Sequence, residues 1–90
     1  MMTQTDGWKP QQVAGLDICE VVDGYVVYET GNDRVHYLNS TAALVLELCT
    51  GQHSREEIAV LLRSAFSLQA APDADVGEIL GSFAREGLVR

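Results

Sequence analysis

The sequence predicts an α+β domain in which a three-stranded antiparallel sheet precedes three helices. Three observations carry that expectation. β-branched and aromatic residues crowd the segment from Ile18 to Leu38 in short runs. After Leu38 the apolar spacing changes to the 3.6-residue period of helices. Turn and capping residues fall at each break between runs. Ninety residues suit one domain with one modest core.

The elements follow in order. Residues 1–15 mix Gln, Thr, Gly and Pro and read as a flexible N-terminal arm, with the domain proper spanning 16–90. Ile18–Val22 and Tyr25–Thr30 are the first two strands. Asp23-Gly24 is expected to supply both central residues of their hairpin turn, where positive φ is favoured. Gly31-Asn32-Asp33 turns the chain into a third strand, Arg34–Leu38. Asn39 or Ser40 then caps a helix running to about Thr50 and stopped by Gly51. Its interior, Ala42 to Cys49, is apolar nearly all round, as in a helix packed on several sides.

Ser54-Arg55-Glu56-Glu57 has the spacing of a capping box, with Glu57 reaching back to the Ser54 N–H. The helix it opens should bury Ile58, Leu61, Leu62, Ala65 and Phe66. Ser67–Pro72 is a loop. Asp73 is expected to cap the third helix, whose stripe is Val76, Ile79, Leu80 and Phe83 and whose stop is Gly87. Leu88 and Val89 should fold back on the core. This order also describes a winged helix-turn-helix with its sheet placed first.

Thirteen Asp and Glu against six Lys and Arg give a net charge of −7. A surface of that sign repels phosphates, and the six cations are scattered, so nucleic-acid binding is not expected. No apolar run approaches the ~20 residues that span a bilayer, and the N-terminus has no signal-peptide pattern. Cys19 and Cys49 stand apart and read as reduced thiols, so a cytoplasmic protein is expected.

The residues offer little chemistry. His36 and His53 have no carboxylate or cysteine at ligand spacing, so neither a metal nor another cofactor is expected. Cys49 lies in the most apolar helix, where a thiol is inert. Asp73 and Asp75 stand where a helix start favours negative charge. No catalytic residue is assigned, and the chain is expected to bind rather than catalyse.

Two features point to binding. Gly77 and Gly81 each cost about 1 kcal/mol relative to Ala inside a helix. With Ala84 they share a face beside Leu80, which would form a smooth groove for another chain. The third strand, Arg34-Val35-His36-Tyr37-Leu38, carries one firm charge and no proline. At a sheet margin such a strand can accept an extra strand from a partner.

The run from Leu38 to Gly51 followed by Ser54-Arg55-Glu56-Glu57-Ile58-Ala59, together with the closing Gly87-Leu88-Val89, resembles the PqqD-like family. These are peptide chaperones, or precursor-peptide recognition elements, named after pyrroloquinoline quinone biosynthesis. The resemblance covers about residues 17–89. Thr50 stands where many relatives have Asp, and Leu46 where a Trp is common. The resemblance implies a winged-helix-like fold. It also implies that the leader of a ribosomally made precursor peptide docks as a strand beside the third strand, against the third helix. On this chain those elements are Arg34–Leu38 and the helix face bearing Gly77, Leu80, Gly81 and Ala84, with Arg34 and Arg85 as candidates to meet acidic leader residues. The implied partner is a modifying enzyme, often a radical S-adenosylmethionine maturase. Two rival readings are a winged-helix transcriptional regulator and an interaction subunit that binds no leader.

Overall fold

A computed structural model describes residues 7–90. Three strands, β1 (Leu16–Val21), β2 (Gly24–Glu29) and β3 (Arg34–Leu38), form one antiparallel sheet in the order β1-β2-β3. Three helices follow: α1 (Ser40–Leu48), α2 (Arg55–Ala65) and α3 (Asp73–Glu86). The architecture is the α+β, winged-helix-like one expected from the sequence.

The first hairpin turns one residue earlier than expected. Val21 pairs with Gly24, so Val22 and Asp23 form the turn, and neither takes a positive φ. Gly24 is needed for another reason. Its φ is +154°, and a Cβ there would lie 2.5 Å from the Leu38 carbonyl oxygen. The second turn holds Asp33 in the left-handed region, at φ 56°, with its N–H donating to the Glu29 carbonyl at 2.9 Å. Asp is one of the few residues that tolerates this region.

Asn39 caps α1, its side chain accepting from the Ala42 N–H at 2.8 Å. The helix ends at Leu48, two residues short of the expected stop, because Thr50 leaves it to pair with Gln11. The Ser54 capping box is present with both bonds, at 2.8 and 3.1 Å. α2 buries Ile58, Ala59 and Leu62. The expected stripe is rotated: Ala59 is buried in place of Leu61, Ala65 and Phe66, which are exposed. Pro72 rather than Asp73 precedes α3, and no side chain caps it. Gly87, at φ 77°, ends α3 and lets the Leu88 N–H donate to the Phe83 carbonyl at 2.9 Å.

The core joins Val27 of the sheet to Val45 and Leu46 of α1, Ile58 and Leu62 of α2, and Val76, Leu80 and Phe83 of α3, with Leu88 folded back among them. Each such Leu or Ile contributes roughly 1.5–3 kcal/mol by leaving water. Cys49 is buried with them and Cys19 is exposed; both are free thiols.

Residues N-terminal to 16 also bond to the rest of the fold. Gln11 and Arg90 exchange main-chain bonds at 3.0 and 2.9 Å, while the N–H groups of Gln12 and Val13 donate to the carbonyls of Cys49 and Leu88. The Gln12 side chain donates to the Leu46 carbonyl at 2.8 Å, which also accepts the Cys49 N–H at 3.0 Å where α1 ends. Pro10 is fully buried. Polar residues that looked like tail composition are thus used as main-chain and amide partners; the remainder of the expected arm, residues 1–6, lies outside the described residues. No helix among the described residues is long and apolar enough to cross a membrane.

Candidate functional site

Pairing phase decides which backbone groups the sheet leaves open. The Thr30 N–H donates to the Gly15 carbonyl at 3.0 Å. In an antiparallel ladder bonded and non-bonded pairs alternate, so the even-numbered residues of β2 face β1 and Tyr25, Val27 and Glu29 face β3. Their partners in register are Leu38, His36 and Arg34. The N–H and C=O groups of Val35 and Tyr37 therefore point away from the sheet. Among the described residues β3 pairs with β2 alone, and Gln11 and Gln12 pair with Thr50 and Val89 instead of this margin.

Beside the open margin lies a cleft of about 400 Å³ between β3 and α3. Val35, His36, Tyr37 and Leu38 line one wall, and Ser82, Phe83 and Glu86 line the other, with Leu88 beyond them. Strand alternation places the Val35 and Tyr37 side chains on the solvent face, 46% and 80% exposed, and turns His36 and Leu38 toward the helices.

A charged cluster closes one end. Arg34 forms an ion pair with Glu86 across the cleft. From below, Glu29 contacts Arg34 Nε at 3.3 Å and His36 Nε2 at 2.5 Å through one oxygen, and accepts from Asn32 Nδ2 at 2.8 Å through the other. Glu29 is buried, and these bonds hold its carboxyl below the ordinary value, the His36 contact most and the Asn32 amide next, against the opposing effect of burial.

The five β3 residues singled out in the sequence all stand at this site: four line the cleft and Arg34 bridges it. The α3 residues do not join them. Leu80 is in the core, 1% exposed. Gly77 faces Arg55 of α2, where a Cβ would come no nearer than 4.0 Å to that side chain; at Gly81 it would meet Arg85 Nη1 at 3.5 Å. Ala84 and Arg85 are exposed. At about 100° per residue, Gly77, Gly81 and Ala84 lie round the helix from Ser82 and Glu86, and Arg85 stands at the flank between.

Glu29, Ser82, Phe83 and Glu86 were missed. Glu29 had a readable signal: it shares the core face of β2 with Val27, and a carboxylate two residues from a buried valine needs partners. Cys49 is no nucleophile, since burial pushes its thiol up to about 12 and its Sγ donates to the Val45 carbonyl at 3.2 Å. Among the described residues no three His, Cys, Asp or Glu side chains are grouped as metal ligands would be.

A comparison with curated proteins found no match. Among solved structures the fold is similar to a lasso peptide synthetase B1 complexed with the leader peptide, with a TM-score of 0.70 and 18% identity over 92% of this chain and 99% of that one. The family model for coenzyme PQQ synthesis protein D matches residues 24–89, from the glycine that opens β2 to the valine that closes on Gln12, so the chain belongs to the PqqD family.

Proposed function

We propose that this chain binds the leader segment of a ribosomally made precursor peptide as a fourth strand on β3 and presents it to a modifying enzyme. The observation that carries the reading is the pair of outward-facing peptide groups at Val35 and Tyr37, opening onto a cleft walled by α3. Two residues offer four main-chain bonds, each netting about 0.5–1.5 kcal/mol. Ordering a leader residue costs about 1–2 kcal/mol, so backbone pairing alone does not hold the peptide. The apolar walls at Leu38, Phe83 and Leu88 give room for one or two leader side chains, each contributing roughly 1.5–3 kcal/mol when buried.

Family membership and the fold shared with a synthetase subunit seen with its leader support this role. The chain then acts as a non-catalytic binding subunit, and its partner is a modifying enzyme, for which the family resemblance suggests the radical S-adenosylmethionine class as one option. DNA reading by α3 is disfavoured, because that helix carries Asp73, Asp75, Glu78 and Glu86 against Arg85 alone. Calorimetric titration with synthetic leader peptides, encoded by short reading frames beside the gene, tests the proposal. Saturable binding that a Val35→Pro variant lacks is expected. Equal affinity in the two proteins overturns it.

A further inference from the structure

We infer that the Arg34–Glu86 pair selects for leaders carrying a Lys or Arg side chain at the position that meets Glu86; this inference rests on the strand-addition reading above. Arg34 is held by two carboxylates, Glu29 from the buried side and Glu86 from the cleft. An acidic leader residue would have to compete with both for one guanidinium. A basic residue has an easier route. Glu86 is half-exposed, its partner keeps Glu29 as an alternative, and nothing buried loses its bond when Glu86 turns to a new cation.

The surroundings have the same sign. Two carboxylates flank one guanidinium at this end of the cleft, and His36, the remaining titratable group there, is hydrogen-bonded to Glu29 rather than to the opening. Farther along α3, Glu78 and Asp75 are exposed. Asp33 is occupied by the Tyr28 hydroxyl at 2.7 Å. With a net charge of −7 the whole chain steers cations toward itself. Of Arg34 and Arg85, the side chains first considered for acidic leaders, Arg34 is already paired and Arg85 reaches back toward Gly81.

Selection of phage-displayed random dodecapeptides on the full chain tests this, with parallel selections on Glu86→Lys and Val35→Pro. The sequences that matter are those whose capture falls at least about tenfold on Val35→Pro, the loss expected when an outward main-chain donor is removed. Among them, enrichment of Lys or Arg at a fixed spacing from an apolar residue is expected. Glu86→Lys should reverse that preference to Asp or Glu. Because Glu86 is half-exposed the variant should fold, which circular dichroism checks; Glu86→Gln should erase the preference without reversing it. Strand-binding sequences that show no charge preference, or one unmoved by Glu86→Lys, overturn this inference and leave the strand reading standing. If no sequence depends on Val35, and backbone N-methylation of the captured peptides leaves capture unchanged, both fall.

Discussion

Glu29 and His36 are bonded at 2.5 Å across β2 and β3, on the face of the sheet that the helices cover. The pair fixes the floor of the cleft. Because Glu29 titrates below its ordinary value of 4.5, the folded state favours the ionised form. Its contribution to stability is therefore complete above about 4.5 and disappears as pH falls through the lowered folded value. Acid denaturation followed by circular dichroism should show a loss of stability in that window, and Glu29→Gln should flatten it while lowering stability at neutral pH.

Neighbouring β3 residues should respond oppositely to proline. The Val35 N–H points outward, so Val35→Pro should leave the urea midpoint nearly unchanged and abolish strand-dependent peptide binding. His36 donates inward to β2, and His36→Pro removes a ladder bond. That change should destabilise the domain by about 1–3 kcal/mol.

The two helical glycines should be improvable. A Cβ at Gly77 or Gly81 meets only the ends of arginine side chains. Gly77→Ala and Gly81→Ala should each stabilise by roughly 0.5–1 kcal/mol in urea denaturation. Peptide affinity should not change, because this face is turned away from β3. Gly24→Ala is the contrasting control: with the Leu38 carbonyl 2.5 Å from the new atom it should unfold or severely destabilise the chain.

Local signals made most elements legible before any fold was known. Ser54 and Glu57 announce α2 because a capping box is satisfied within four residues, and Gly87 ends α3 by its own backbone freedom. The misses were set from a distance. Gly24 looked like a turn residue, but its requirement comes from Leu38 on another strand. Leu61 matched a helical stripe, yet it stays outside the core and 38% exposed. The α3 wall was misread for the same reason, since periodicity identifies faces but not what each one meets. Arg34–Leu38 was legible because a proline-free strand with a single firm charge at the end of a meander is a margin by topology alone.

Removing residues 1–13 should cost stability although their composition suggests a tail. Five main-chain bonds join Pro10–Val13 to residues 49–51 and 88–90, and at typical net values they are worth about 2.5–7.5 kcal/mol. A chain starting at Ala14 should show a lower urea midpoint and faster amide exchange at Gly51 and Arg90, whose N–H groups lose the Pro10 and Gln11 carbonyls.

The clasp between Gln11 and Arg90 brings the two ends of the described fold to one spot, bonded to each other and not to β3. Joining the ends and reopening the chain in the 67–72 loop should yield a permuted domain with the same binding edge.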